Sequence, residues 1–304
     1  MIQEPILFVL GAGASAPVGF PTGPQLRASI IDGLSTVGSP LRKVLQVRHD
    51  EASIERFRDR FRNSAADTID RFLENNSDCL DIGLASIACE VVRCEDASKL
   101  TERSNGNWYP LLGEVMYAHP ADLRSNKVAF VTFNYDRSLE HFLFTSIKNL
   151  YNINDDEAAH VVNFFQIFHM YGKVGNLPWG KPNANEPPSS YFRPYDTVAT
   201  PEVIEASAKC LRIPHDQTLG KKQHARLSLV LQHYKAIHFL GFGYDALNLT
   251  RVVGRGDPSL PMLQGSAYGL GDQTMKRIRA EFNIRLDQKR QSALEYLQNV
   301  VGWG

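Results

Sequence analysis

Apolar residues along the chain predict strands that alternate with helices. Short apolar runs that end at glycine or at a polar turn are typical of buried parallel strands. The segments predicted as strands are 5–10, 127–132, 164–169, 236–241, 265–270 and 284–286. Helical segments separate most of them, and this alternation indicates a parallel sheet covered by helices on both faces. The predicted fold class is therefore α/β and Rossmann-like.

Apolar residues at three- and four-residue spacing predict the helices. Ile54, Phe57 and Phe61 form one such stripe within a mainly helical stretch. We expect a single domain over 1–304, in which about 34–125 is a large helical insertion that could cap a site. Further helices are predicted from 23, from 136 to about 149, over 221–234, after 245, and over 272–282 and 288–300. Five prolines make 176–196 a loop, which we expect near the site that the strand ends create.

Composition narrows the class of protein. The chain has 33 Lys plus Arg and 33 Asp plus Glu, so it lacks the broad excess of cations that favours nucleic-acid binding. Its apolar stretches are far shorter than the roughly 20 residues that cross a bilayer, and its first residues do not resemble a secretory signal. The four cysteines form no Cys-x-x-Cys pair. We expect a cytoplasmic protein with reduced thiols and no metal site.

A glycine turn follows the first predicted strand. Gly11-Ala12-Gly13-Ala14-Ser15 has the composition of a loop whose free backbone N–H groups hold a pyrophosphate. A purely structural turn after a strand is the alternative. A conventional dehydrogenase is disfavoured, because no second strand ends in an acidic residue about 20 positions later. Asp32, near that distance, stands at what looks like the end of a helix.

A second turn, Thr132-Phe133-Asn134-Tyr135-Asp136, also follows a predicted strand. Ligands of open α/β sheets bind beyond the carboxyl ends of the strands, so this turn is expected to face the same crevice as Gly11. Asn134 offers a donor and an acceptor for a sugar hydroxyl or a water, and Asp136 offers an acceptor for an amide. The alternative is that either side chain only caps the following helix.

Two later segments complete the set of candidate residues. His169 ends a predicted strand and could serve as a general base, although a lone histidine is more often a structural residue. Gly241-Phe242-Gly243-Tyr244-Asp245 forms another glycine turn after a strand. It offers further backbone donors, with a plain strand-to-helix turn as the alternative.

Taken in order, these segments resemble the sirtuin-like (silent information regulator two) family. The first, with Gly19-Phe20-Pro21 after it, is similar to the family's NAD loop, and the second to its threonine–x–asparagine–x–aspartate motif. The resemblance implies that Asn134 positions water or ribose and that Asp136 binds the nicotinamide amide. The contacts with NAD that we infer involve Gly11, Ala12, Gly13, Ala14, Ser15, Pro21, Thr132, Tyr171, Gly241, Gly243 and Asp245.

The sequence departs from the family at its catalytic histidine. The family places this histidine directly before a glycine, and here Tyr171 occupies that place, two residues after His169. Three alternatives follow: His169 serves as the base, Tyr171 replaces it, or catalysis relies less on a base. We predict the first of these.

The chain also lacks the four-cysteine zinc module of the protein-deacylating members. It is more similar to bacterial antiphage-defence members, which hydrolyse NAD to ADP-ribose and nicotinamide and so cause abortive infection by depleting NAD. An NAD-dependent protein deacylase and a catalytically silent NAD or ADP-ribose sensor are the alternatives. Because uncontrolled NAD hydrolysis would be lethal, we expect the activity to be gated. Because the core uses nearly all of the chain, we expect the gate to come from a partner. The expected partners are other copies of the chain, or a sensing subunit such as a HerA-type ATPase or an Argonaute-like protein, without direct contact to nucleic acid or membrane.

Overall fold

Six parallel strands form one sheet at the centre of the protein. The computed structural model describes residues 1–103, 106–181, 191–213, 227, 230–254 and 260–303. The strands are β1 (Ile6–Leu10), β2 (Val128–Thr132), β3 (Gln166–His169), β4 (Ala236–Leu240), β5 (Met262–Gly265) and β6 (Arg285–Leu286). Their order in the sheet is β3-β2-β1-β4-β5-β6. Helices surround the sheet, and the predicted α/β, Rossmann-like fold class is confirmed.

Strand β1 lies at the middle of this sheet and is buried along its whole length. It pairs with β2 on one side and with β4 on the other, and Leu10 is in register with Thr132 and with Leu240. The chain builds one half of the sheet outward from β1 and then returns to build the other half from β4. In open α/β sheets the crevice at such a change of direction is where ligands bind.

Helices precede or follow the strands along the chain, and the longest helical stretch lies between β1 and β2. Most of those between β1 and β2 belong to the stretch that the sequence assigned to an insertion, and no strand interrupts them in the described part of that stretch. The helices are α1 (Ala12–Ser15), α2 (Gly23–Ser35), α3 (Pro40–Leu45), α4 (Glu51–Asn63), α5 (Ile69–Glu74), α6 (Leu80–Val92), α7 (Tyr109–Val115), α8 (Ser138–Tyr151), α9 (Asp155–Val162), α10 (Pro201–Ala208), α11 (Ala246–Val253), α12 (Asp272–Phe282) and α13 (Ala293–Tyr296). Shorter helical turns are Ala16–Val18, Ser77–Cys79, Ala97–Thr101, Pro120–Ser125 and Leu297–Val301.

Local sequence explains where several helices begin. The backbone N–H of Thr22 donates to the side chain of Gln25 at the start of α2, at 2.9 Å. The predicted stripe of Ile54, Phe57 and Phe61 is the buried face of α4. Helix α12 has the predicted bounds, and it ends at Asn283, whose φ of 55° is left-handed.

Some predicted elements differ from the structure. The strand predicted at 265–270 is wrong: the residues that pair with β4 are Met262–Gly265, and the hydroxyl of Ser266 accepts from the N–H of Gly241 at 3.1 Å. The closing helix begins at Ala293 rather than at 288, because Arg290 has a φ of 53°. Most of the helix predicted over 221–234 lies outside the described residues.

The proline-rich segment is a loop where it is described. Its first part pairs Asn176 with Phe192 across an isolated bridge, and the N–H of Asn176 donates to the carbonyl of Tyr191 at 2.8 Å. Residues 182–190 of the predicted loop lie outside the described residues. The described parts are held in place by one buried arginine at the start of α8.

This arginine, Arg137, belongs to a buried charge cluster with Glu95 and Arg193. Its guanidinium donates to both carboxylate oxygens of Glu95, at 2.8 and 2.6 Å, and to the carbonyls of Asn176, Arg193 and Pro194. Arg193 bonds the same carboxylate. Arg137 and Glu95 have no exposed side-chain surface. The cluster therefore ties the segment after α6, the start of α8 and the proline-rich loop to one another.

Substitution of Glu95 by alanine is expected to destabilise the fold by about 3–5 kcal/mol, because it leaves the fully buried guanidinium of Arg137 without a counter-charge, whereas Arg193 keeps its ion pair with Asp196. The matched control is Glu4→Ala, which removes an exposed partner of Lys235 and is expected to cost less than about 1 kcal/mol. Urea unfolding of the two variants measures both changes. Equal, small losses would show that the cluster contributes little.

A buried histidine makes the stability depend on pH. His238 lies in β4, where its Nδ1 atom is 2.8 Å from the hydroxyl of Tyr296 and its ring packs beside Phe8. Burial lowers the pKa of His238 from 6.5 to about 4. Between these two values the unfolded chain binds a proton that the folded chain does not.

The free energy of unfolding is therefore expected to fall as the pH is lowered from 6.5 to about 4. Substitution of His238 by glutamine is expected to reduce this slope by about 1.4 kcal/mol per pH unit, the contribution of one proton. Urea titrations at several pH values measure the slope. An unchanged slope in the variant would contradict the assignment.

Candidate functional site

Three turns meet at the carboxyl edge of the sheet, one after each of β1, β2 and β4. We call this region the switch-point site and define it by residues 11–15, 132–136 and 241–245. The three strands end in register, which places their turns side by side. The convergence expected from the sequence motifs is therefore present.

Asn134 joins two of these turns directly. Its amide nitrogen donates to the carbonyl of Gly11 at 3.0 Å and to the hydroxyl of Ser15 at 2.9 Å. Its backbone N–H is fixed by the hydroxyl of Thr132 at 3.0 Å. Asn134 therefore does not cap the following helix. Its side chain instead fastens the glycine turn to the end of β2.

Asp136 does serve as a helix cap. One carboxylate oxygen accepts from the backbone N–H of Ser138 at 3.0 Å and also from its hydroxyl, which in turn lies 2.6 Å from the hydroxyl of Tyr109. Asp136 is buried, and burial raises its pKa although hydrogen bonds from Ser138 and Ser15 act in the opposite direction. A buried carboxylate of this kind gains from a further donor, such as an amide of a ligand.

The glycines of the first turn are explained by close backbone packing. The N–H of Gly11 donates to the carbonyl of Leu240 at 3.0 Å, and the N–H of Gly13 donates to that of Gly241 at 2.9 Å. A Cβ atom on Gly11 would lie 2.6 Å from the Cα atom of Phe242, and one on Gly13 would lie 2.8 Å from the oxygen of Gly241. The prediction of free amides at Gly11 and Gly13 is wrong, because the last residue of β4 and the first residue of the turn after it accept from them.

The rest of the glycine turn is also held by its neighbours. The N–H of Ala14 donates to Gly11 at 2.9 Å, and its carbonyl accepts from the indole of Trp108 at the same distance. Ala12 is half-buried in the first turn of α1, and Pro21 is half-buried just before α2. The turn is therefore a fixed element of the site.

A cation that the motifs did not point to lies beside Gly19, four residues after the glycine turn. The ammonium of Lys99 would be 3.1 Å from a Cβ atom on Gly19. Cys94 lies within electrostatic reach of both Lys99 and Asp136, which lower and raise its pKa respectively, although burial has the largest effect and raises it. Lys99 pairs with Asp96 at 3.9 Å and remains about half exposed. It can therefore offer positive charge beside Gly19.

His169 is placed differently from a general base. Its side chain is only 1% exposed, with Nδ1 3.1 Å from the backbone carbonyl of Asn134 and Nε2 2.8 Å from Glu140. Burial alone would raise the pKa of Glu140, but the charges of His169 and Lys173 lower it to about 2. Because a carbonyl and a carboxylate only accept hydrogen bonds, both ring nitrogens donate, and the ring has no lone pair for another proton.

Tyr171 occupies the sequence position at which the sirtuin-like family has its histidine. Residues of α11 hold its side chain. Its hydroxyl donates to the side chain of Asn248 and accepts from Arg251 at 2.6 Å. Its ring packs against Phe133 with centroids 5.3 Å apart. Burial raises its pKa, although the charge of Arg251 acts in the opposite direction. A buried, protonated phenol with bonded neighbours is a structural group here.

The turn after β4, residues 241–245, begins with a closely packed glycine and continues with exposed residues. Gly241 has a φ of 55°, and a Cβ atom on it would overlap the backbone of Ala14. Gly243 is exposed and has space around it. Asp245 is exposed and caps α11 by accepting from the N–H groups of Leu247 and Asn248. The structural alternative for Asp245 is therefore the one observed.

Helix α5 of the insertion reaches the same edge. Asp70 accepts a hydrogen bond from the hydroxyl of Tyr135, and burial raises the pKa of Asp70. Glu74 lies 3.4 Å from Arg251 of α11. Sequence motifs could not identify these partners, because each is an ordinary helical residue that only the fold brings to the site.

Gly241 and Gly243 provide a matched test of this packing. Substitution of Gly241 by alanine is expected to destabilise the protein by about 3 kcal/mol or more, since it combines a left-handed φ with a backbone clash. Substitution of Gly243 by alanine is expected to leave stability unchanged or to raise it by about 0.4–1 kcal/mol. Urea unfolding measures both, and similar stabilities for the two variants would contradict the observed contact.

In the described part of the chain, no helix combines the length and apolar character that crossing a membrane requires. A scan against models of known protein families finds no model that matches the chain. A search of curated proteins likewise finds no relative.

Proposed function

We propose that the chain binds NAD⁺ at the switch-point site and hydrolyses the nicotinamide–ribose bond to ADP-ribose and nicotinamide. The observation that carries the proposal is the position of Asn134, whose amide joins the turn after β1 to the turn after β2. Asn134 therefore lies at the carboxyl edge of the sheet, beside the change of strand direction where open α/β sheets bind their ligands. The family resemblance supplies the identity of the nucleotide.

The reaction makes modest demands on proton transfer. Departure of neutral nicotinamide leaves an oxocarbenium-like ribose, which a water then attacks, and the proton that this water loses passes to solvent. The amide nitrogen of Asn134 is used by Gly11 and Ser15, so contact with a ribose hydroxyl or the water falls to its amide oxygen. Asn134 would thus orient the reacting end of the substrate without acting as a base.

Asp136 and Lys99 would hold two parts of the substrate, the carboxamide and the pyrophosphate. The buried carboxylate of Asp136 would accept from the carboxamide N–H of nicotinamide, which compensates part of its burial. Lys99 would supply charge for the pyrophosphate in place of the two glycine amides that β4 uses. Binding energy at the pyrophosphate can then be applied to the reacting end.

The role of His169 in this proposal is to position Asn134. Its ring donates to the carbonyl of Asn134 and is itself held by Glu140. Loss of this contact would release the turn that holds the amide, and the effect on turnover would be indirect.

The placement of His169 and Tyr171 also favours a second candidate, a catalytically silent NAD or ADP-ribose sensor. Both side chains are buried and bonded to neighbours, so neither is free to take a proton from water. A sensor would use the same binding contacts and would release no nicotinamide.

The biological setting that we propose is bacterial antiphage defence by depletion of NAD. Activity of this kind has to be gated, and we propose that self-assembly or a separate sensing subunit supplies the gate. The subunits proposed are a HerA-type ATPase or an Argonaute-like protein.

Substitution of Asn134 by alanine is expected to reduce nicotinamide release by about 10²-fold or more, because it removes the group that orients the reacting end. Release is measured by chromatography after incubation of the purified chain with NAD⁺, and binding by calorimetry. The matched control is Asn126→Ala. Asn126 is also buried, but it bonds Ile2 and Met116 at the opposite edge of the sheet.

Asn126→Ala is expected to lower stability and to keep its turnover per folded molecule. Equal turnover by the wild-type chain and Asn134→Ala would refute the assignment of Asn134. Binding of NAD⁺ by the wild-type chain without release of nicotinamide would favour the sensor. Lack of any binding of NAD⁺ or ADP-ribose would overturn both candidates.

A further inference from the structure

The hydroxyl of Tyr195 is buried without a hydrogen-bond partner among the residues that the structure describes. Tyr195 lies in the proline-rich segment, at its return to the sheet edge. A buried donor without a partner costs free energy, so such groups are rare in folded proteins. This hydroxyl therefore needs an explanation that packing alone does not give.

Neighbours on two sides fix the ring of Tyr195. It stacks on the ring of His141, with centroids 4.3 Å apart and planes 9° apart. The guanidinium of Arg137 lies 5.9 Å from its centroid and donates to the carbonyl of Pro194 at 3.0 Å. Since Arg137 and His141 belong to the start of α8, the ring is anchored over the helix that Asp136 caps. Its orientation is set before any ligand binds.

The phenol lies within electrostatic reach of the switch-point site. Burial has the largest effect on its pKa and raises it, and the charges of Asp136 and Glu95 and the phenol of Tyr109 raise it further. Tyr109 itself is bonded to Ser138, the partner of Asp136. The hydroxyl of Tyr195 therefore stays protonated, as a neutral donor within electrostatic reach of the buried carboxylate of Asp136.

We propose that Tyr195 contacts the ligand of the switch-point site and donates its hydroxyl hydrogen bond to the carbonyl oxygen of a primary carboxamide. A carboxamide presents an acceptor oxygen and an NH₂ donor side by side. A neutral donor and a carboxylate, provided by Tyr195 and Asp136, match this pair. The inference rests on the proposed function, in which the carboxamide is that of the nicotinamide end of NAD⁺. It extends that function by naming the residue that distinguishes NAD⁺ from ADP-ribose.

The test is substitution of Tyr195 by phenylalanine, with calorimetric titration of NAD⁺ and of ADP-ribose into the 304-residue chain. Loss of one hydrogen bond is expected to weaken binding of NAD⁺ about tenfold. Binding of ADP-ribose, which has no carboxamide, is expected to stay the same. The Tm without ligand is also expected to stay the same or rise, because the variant loses a buried hydroxyl that has no partner.

Tyr151→Phe is the matched control. The hydroxyl of Tyr151 donates to the carbonyl of Ala118 at 2.8 Å, at the far end of α8. Its loss is expected to lower the Tm by roughly 2 °C and to leave both affinities unchanged.

Four outcomes would overturn the inference. Unchanged binding of NAD⁺ by Tyr195→Phe would show that the hydroxyl does not contact the ligand. Equal weakening of NAD⁺ and ADP-ribose would place the contact on the part that they share. A Tm loss like that of Tyr151→Phe would show that the hydroxyl has a structural partner. If the wild-type chain binds neither nucleotide, the proposed function fails together with the inference. The first three outcomes, in contrast, overturn the role of Tyr195 alone.

Discussion

The turn after β1 and the turn after β4 are in backbone contact at the middle of the carboxyl edge of the sheet. This contact is possible because three of their residues are glycines without a side chain. Gly11 and Gly13 donate to the carbonyls that end β4, and Gly241 lies against the backbone of Ala14. Any Cβ atom at these positions would meet backbone, which cannot move aside as a flexible side chain can. The contact fixes where the glycine turn stands, and with it the place of Asn134.

A second constraint holds the outer elements to this centre. Arg137 directs its donors to Glu95 and to carbonyls of the proline-rich segment, and the side chains of Arg137 and Glu95 have no exposed surface. In a low dielectric such a network is stable only when its members are satisfied together. The cluster therefore couples the helical stretch after β1 to the loop that carries Tyr195. A ligand between them would contact elements that are already fixed, so little ordering would accompany binding.

The chemistry of the site follows from burial. Asp136 is buried, and the buried hydroxyl of Tyr195 lies within its electrostatic reach, an arrangement that suits a neutral amide better than an anion. His169 does not contribute to such a contact, since both of its ring nitrogens are already bonded to acceptors of the protein. The site is thus built to hold and orient, and the cleavage proposed for it depends on orientation more than on proton transfer.

The sequence by itself determined the class of fold and the places where chemistry was to be sought. Buried parallel strands are continuous apolar runs, and their ends are marked by glycine and polar turns, so local pattern identified β1, β2 and β4 and the turns that follow. It could not assign individual roles. Whether Gly11 offers a free amide, whether His169 is a base, and which residues of α5 and the proline-rich loop reach the site depend on partners distant along the chain. Only the tertiary structure decided these, because a hydrogen-bonding group is available or used according to what packs against it.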